Sequence, residues 1–254
     1  MDEIRSIHHE SRFIYGAPKI TKKLTALGYD IAEKTVGQYM REMNLRAHYI
    51  SPYTVTTTDS DFSESLINIL QRDFTPDEPN SYWCTDITYI HTREDGFVYL
   101  ISIMDLFSRR IVAWELSSDL KADAVVRCLH QAIERRQGCR AQVIHSDRGC
   151  QYVSEAYLEA LGMDMKASYS AKATPWDNAC MESFHALIKR EWLHHFEIAD
   201  YGEARRLVFE YIDAFYNTTR IHSHCNYLSP KDYEEQFMRT NRTVISHKEY
   251  PIVA

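Results

Sequence analysis

Two hydrophobic periods divide this chain. In the first 46 residues apolar side chains recur every third or fourth position, as an α-helix requires. Ile4, Ile7 and His8 open a first turn, and YGAPKITKKLTALG carries Ile20, Leu24 and Leu27 at helical spacing before Gly28 stops it. DIAEKTVGQYMREMNL then places Ile31, Val36, Tyr39, Met40 and Met43 on one stripe, leaving Lys34, Thr35, Gln38 and Arg41 largely outside it. Two short helices around a Gly-containing turn fit a helix-turn-helix, whose second helix can enter a DNA groove. The same pattern also fits a plain helical cap with a solvated charged face.

The pattern then breaks. HYISPYTVTTTDSDFSE is polar and rich in Thr and Ser, and FTPDEPN has two prolines, so residues 47–80 read as a connector with a short helix near Glu64–Gln71. From residue 81 the period changes to two. SYWCTDITYIHT alternates like a strand, REDG makes a turn, and FVYLISIMDLFS and RRIVAWELSS follow as strands. ADAVVRCLHQAIERR returns to helical spacing, AQVIHSD is a buried strand, SEAYLEALGM a short helix and MKASYS a fifth strand. Helices follow at about 176–193 and 201–217, and a polar tail without a clear period begins near Leu228. Three strands, helix, strand, helix, strand, helix is the order of a ribonuclease H-like α/β core, a five-stranded mixed sheet flanked by helices. The predicted organisation is a helix-turn-helix-like DNA-binding unit at 1–46, a linker at 47–80, a catalytic core at 81–195 and a helical extension and tail at 196–254.

Composition narrows the class. At 254 residues the chain holds one sizeable domain and a small one. A net charge of −7 argues against a broad basic face, so any DNA contact must come from a local basic strip or a basic partner. Six cysteines without a C-x-x-C pair point to reduced thiols and away from a zinc site or disulfide framework. The polar, acidic start does not resemble a signal peptide, and the longest apolar run, FVYLISIM, is far short of a membrane span. A cytoplasmic protein is expected.

Three acids stand out by position. Asp86 lies in mid-strand, Asp147 ends a strand where α/β sites open, and Glu182 sits on a helix. At about 100° per residue, Asn178 and Lys189 fall on the Glu182 side of that helix, with Phe184, Leu187 and Ile188 opposite. Phosphodiester chemistry needs an activated oxygen nucleophile and stabilisation of charge on phosphorus. Two divalent ions about 3.5–4 Å apart supply both, and hard ions such as magnesium take carboxylate oxygens. Any one acid is more often solvated or ion-paired than a ligand. Asp105 is the main competing candidate, expected on the opposite face of the sheet from Asp86 and paired with Arg109 or Arg110. His145 reads as a strand-core histidine or a supporting group, His185 as solvated surface or a substrate contact, and Trp176 as fixing the entry of the Glu182 helix.

WCTDITYI, HSDRGCQY and WDNACMESF followed by IKRE resemble the OrfB-type transposases of the IS-three insertion-sequence group, within the DDE transposase and retroviral integrase superfamily. The resemblance extends to YGAPKI and MREMNL at the front and FYNTTRIHSHCNYLSP at the rear, covering roughly residues 4–235. It implies a catalytic, metal-binding triad of Asp86, Asp147 and Glu182 using two Mg2+ or Mn2+ ions. It further implies nicking at an insertion-sequence end, then attack of the freed 3′-hydroxyl on another DNA strand, with a circular element intermediate and no covalent protein–DNA link. Lys189 matches a lysine that contacts the element end, and Asn178, Lys34, Gln38 and Arg41 are the other candidate DNA contacts. Ala171 and Thr174 depart from a stretch that is often more basic or Gly-containing in relatives. The partners implied are terminal inverted repeats, target DNA, further copies of the chain on DNA, and an upstream-frame protein or frameshift fusion carrying another helix-turn-helix and a coiled coil. The competing reading is a non-catalytic DNA-binding regulator of transposition.

Overall fold

The computed structural model describes residues 1–47, 66–172 and 174–248, without the side chains of Pro175 and of 242–248. Helices α1 (Asp2–Glu10), α2 (Ala17–Ala26) and α3 (Glu33–Glu42) come first. Gly28, at φ +90°, lets the chain leave α2 in the left-handed region, and Tyr29 N–H donates back to the Leu24 carbonyl. Leu27 lies past the last helical turn and is exposed, so the core stripe of α2 is Ile20 and Leu24. Most of the connector lies outside the described residues. Its described end, 66–72, forms bends and turns where a short helix was expected. Leu70 buries there, and Ile69 and Leu70 N–H both donate to Ser168 Oγ, so tertiary partners replace helical hydrogen bonds.

The sheet contains β1 (Tyr82–Thr92), β2 (Gly96–Asp105), β3 (Ile111–Ser117), β4 (Val143–Ser146) and β5 (Lys166–Tyr169) in the order β3-β2-β1-β4-β5. β1, β2 and β3 form an antiparallel meander, whereas β4 and β5 join in parallel. Parallel joining requires crossovers, supplied by α4 (Ala122–Arg135) and α5 (Glu155–Leu161). Both helices cover one face, burying Val125, Cys128, Leu129, Tyr157 and Leu161 with Trp83, Ile101 and Ile144. On the other face α6 (Ala179–Glu191) and α7 (Tyr201–Tyr211) pack with Cys84, Ile90, Leu100 and Met104.

That second cluster also takes in Ile4, Ile7, Ile20, Leu24, Val36 and Met40, so α1–α3 share a core with the sheet. Their seam is polar as well as apolar. Tyr15 Oη accepts Ile221 N–H at 2.8 Å, Arg12 lies 4.8 Å over the Trp192 ring, and Lys22 lies 5.0 Å over Tyr227. Behind the seam, Arg220 donates to both oxygens of Glu191 at 2.6 and 2.7 Å, and Tyr211 Oη donates to the same carboxylate. Burial is the largest influence and would raise the Glu191 carboxyl, but the charge and hydrogen bonds of Arg220, with Lys19 and Tyr211, together outweigh it and hold it below the usual range.

From Pro230 the chain forms α8 (Pro230–Lys248), where its polar sequence suggested an aperiodic tail. Few apolar residues hold it: Tyr233 stacks on Phe107 at 5.0 Å and Phe237 meets the same ring edge-on. The main anchor is Glu234, which accepts from Arg136 at 2.6 and 2.8 Å, from Arg110 at 2.7 Å and from Ser108 Oγ at 2.7 Å. Desolvation pushes this carboxyl up, but hydrogen bonds and charge from Arg136 and then Arg110 bring it below its ordinary value.

Glu234→Ala leaves Arg136 and Arg110 without that carboxylate and is expected to cost about 3 kcal/mol, since breaking a buried pair strands its partner. A group with a depressed folded pKa stabilises the fold above its unfolded pKa and loses that contribution as the pH falls through the folded value. The deficit should therefore be large in denaturant melts at pH 7 and shrink towards pH 3. Equal deficits at both would make it a packing loss.

Candidate active site

Asp86 and Asp147 are brought together by strand register. β4 pairs with β1 through Tyr82↔Val143, Trp83↔Ile144 and Cys84↔His145. Continuing that register by two residues sets Asp147, just beyond the end of β4, opposite Asp86. Neighbouring strands lie about 4.8 Å apart, and aligned residues of a parallel pair point to one face. That face is the one covered by α6, because Cys84 packs there. Tyr152 senses both carboxylates: its hydroxyl is 3.2 Å from Thr85 Oγ1, and its pKa is raised by burial first and then by Asp86 and Asp147. Each aspartate also braces its own backbone, with Asp86 Oδ1 accepting Ile87 N–H at 2.8 Å and Asp147 Oδ1 accepting Gly149 N–H at 3.0 Å.

Glu182 comes from the first turn of α6, whose opposite side buries Met181, Phe184 and Ile188. Its carboxyl pKa is raised by desolvation and then by the Asp86 charge, so two acids from different elements share one field. Among the described residues no three His, Cys, Asp or Glu side chains stand as a ready-made ion cage. A carboxylate whose pKa is raised by burial and by a neighbouring acid favours a cation beside it, and three carboxylates are a hard oxygen donor set suited to magnesium or manganese. By donor chemistry and mutual repulsion, Asp86, Asp147 and Glu182 fit a divalent-ion site.

Lys189, two turns along α6, stands 4.4 Å over the Tyr89 ring. Burial lowers its pKa and Asp86 raises it, so this ammonium lies within the field of the acids. Asn178 does not share its exposed side. It is buried and donates Nδ2–H to the Thr85 carbonyl at 3.1 Å, tying the start of α6 to β1 one residue before Asp86. The helical-wheel extrapolation fails because Asn178 precedes α6 in a 3-10 turn, Pro175–Asn178. It is corrected from a DNA contact to a positioning residue. Lys34, Gln38 and Arg41 are exposed on one side of α3, with Gln38 bonded to Glu42.

Several neighbours differ from expectation. His185 is buried, with Nδ1 3.4 Å from Asp86 Oδ2 and Nε2 unpartnered, rather than solvated. Trp176 is 67% exposed. The entry to α6 is held instead by Asp177, which accepts from Ala171 N–H, Asn68 and Arg72 at 2.9, 3.0 and 2.7 Å. His145 is a core histidine between Ser168 and Ser170, with its pKa lowered to about 4 by burial. Asp105 does lie on the face opposite Asp86, aligned with Trp83, but its partner is Arg136 at 3.0 Å. Arg109 and Arg110 turn elsewhere, to backbone carbonyls and to Glu234. Tyr152 and Asp177 escaped sequence reasoning; only the Asp-Asn pair just before a helix hinted at the second.

A five-stranded mixed sheet with one acid in mid-strand, a second just past the end of the neighbouring strand and a third on a crossing helix is the layout of an integrase-type core. An integrase core domain family matches residues 76–175, a second integrase core domain model matches 163–230, and an HTH-like domain family matches 1–52. The transposase for insertion sequence element IS904 of Lactococcus lactis is 37% identical over 235 residues, 92% of each chain. Transposase InsF for insertion sequence IS3A of Escherichia coli is 38% identical over 226 residues, 87% of this chain and 77% of the relative. A chain of the simian T-cell lymphotropic virus intasome shares the fold at TM-score 0.53 and 14% identity, over 91% of this chain and 74% of its own. The chain belongs to the IS3 family of insertion-sequence transposases. Among the described residues no helix is long and apolar enough to cross a membrane.

In metal-free solution Asp86→Asn should lower the Glu182 pKa, followed by carboxyl-detected NMR titration. An unmoved value would show that these two acids do not share a field.

Proposed function

We propose that this chain is the catalytic subunit that nicks the ends of its insertion sequence and transfers the freed 3′-hydroxyl strand into DNA, with Asp86, Asp147 and Glu182 as the ion-holding triad. The observation carrying this reading is the register that sets Asp86 against Asp147, together with the charge coupling of Glu182 to Asp86. Two Mg2+ or Mn2+ ions, when bound, activate the attacking oxygen and stabilise the leaving oxygen. The protein's own part is to hold the carboxylates and position the DNA. Asp86 and Asp147 are fixed by strand and turn hydrogen bonds, and Glu182 by the packed face of α6. His185, buried against Asp86, limits how that carboxylate can rotate.

Lys189 meets a backbone phosphate of the element end as a point charge. Lys34, Gln38 and Arg41 on the outer side of α3 meet the terminal inverted repeat. The charges of Lys189, Lys34 and Arg41 are the local basic groups that a chain of net charge −7 needs. Joining two ends to one target calls for more than one copy on the DNA, in the bacterial cytoplasm, alone or with an upstream-frame partner or fusion.

The test is a strand-transfer assay in magnesium on labelled DNA ending in the element's terminal repeat. Asp147→Asn should abolish nicking and joining, by at least a thousandfold, while end binding persists. A variant that still joins strands sinks the triad. Lys189→Ala should weaken end binding and reduce the slope of log affinity against log salt by about one contact. An unchanged slope would remove Lys189 from the phosphate.

A further inference from the structure

β4 covers β1 only over Tyr82–Cys84, so beyond Asp86 another part of the molecule borders this side of the strand. There α6 and the turn after it leave a cavity of about 360 Å3. Its floor is apolar, with Leu193 and Ile198 buried, and its aromatic walls are Tyr89 and Phe196, 41% and 39% exposed. Lys189 and His194 stand at its mouth. Tyr89 is braced edge-on by Phe97 at 5.3 Å, so the ring is held in place while remaining half open to solvent. Large exposed aromatics beside a charged site are uncommon without a ligand to cover them.

We propose that this cavity takes up one unpaired nucleobase of the DNA strand that carries the scissile phosphate. The inference rests on the proposed strand-transfer function and adds a base-binding site to it. Three observations specify the occupant. The cavity falls within the 300–1,000 Å3 range of small-ligand sites and pairs aromatic walls with a few polar groups, as a planar heterocycle requires. Lys189 bridges it to the acids, since that ammonium lies over Tyr89 and within the field of Asp86. Tyr89 follows Asp86 by three residues of strand, about 10 Å, and stands on the opposite pleat of β1, so Lys189 reaches its ring around the strand edge that β4 leaves open. A phosphate held beside Asp86 and Lys189 leaves its neighbouring base within reach of the cavity that the same lysine lines. When a phosphate draws Lys189 away, the face of Tyr89 that the ammonium covers becomes free for stacking. Opening the terminal pairs exposes the strand to the acids, and capture of one base here would keep it open.

The experiment uses the full chain and DNA ends carrying 2-aminopurine at each of the three positions nearest the cleavage site, in metal-free solution. Extrusion of the base should raise its emission on binding to the wild type at one position. Tyr89→Ala and Phe196→Ala should abolish that rise, and Tyr89→Phe should keep it. In magnesium, both alanine variants should nick a fully paired end at least tenfold more slowly and recover most of the rate on an end with mismatched terminal pairs. Thermal melts of all variants separate these effects from misfolding. No emission change with the wild type, or the same change with the alanine variants, overturns the proposal. So does a loss of rate that mismatches do not restore. If Tyr89→Ala instead alters the mass of the DNA-free protein with emission unaffected, the cavity holds another copy of the chain and the base assignment is wrong. A wild type that shows the emission change but never nicks counts against the strand-transfer function and leaves the cavity's assignment standing.

Discussion

β1 and β4 run side by side for only three residue pairs, and the organisation of this protein depends on that short parallel contact. It carries Asp86 and Asp147 to adjacent positions where strand pairing has just ended, the place at which an α/β sheet opens to ligands. A third carboxylate, Glu182 on α6, has its pKa raised by desolvation and then by the Asp86 charge. Such an arrangement opposes folding locally and survives because other contacts over-determine it. The antiparallel meander locks β1 along its length, Tyr152 braces Thr85, and Asn178 ties the same residue to the start of α6.

α6 links the parts. Its apolar side seals the sheet, its open side offers Glu182 and Lys189, and its last residue, Glu191, is buried in the Arg220–Tyr211 network. That network borders the seam where Tyr15, Lys19 and Arg12 of the front helices dock. Burial and the Arg220 charge lower the Lys19 pKa to about 7, a measure of how closely the front unit is pressed onto the core. Displacing α1–α3 would expose Glu191 and Arg220 at the end of the helix that carries Glu182.

The charge distribution now makes sense of an acidic chain in a family that acts through DNA. Arg136 and Arg220 are used internally, as partners of Asp105, Glu234 and Glu191. Among the described residues, the basic groups open to a polyanion include Lys189 and His194, which line the cavity after α6, and Lys34 and Arg41 on α3.

The order of strands and helices along the core could be read from the chain because it rests on local physics. Alternation marks β1–β3, 3.6-residue spacing marks α4, α6 and α7, and the facing of Glu182 and Lys189 follows from helical geometry. Where the reading failed, non-local partners decided. Asn178 turned inward because a 3-10 turn broke the helical phase, and His185 was buried because Asp86 lies across from it. Residues 66–72 gave up helix for hydrogen bonds to Ser168, and the polar sequence after Pro230 became α8 because Glu234 found arginines distant in sequence. Sequence alone determined the elements of the core sheet and its flanking helices and the side of α6 on which Glu182 falls, since periodicity is a local property. Only the tertiary structure decided which polar groups brace those acids and where a cavity opens beside them, because burial and ion pairing depend on residues that the chain brings together only when folded.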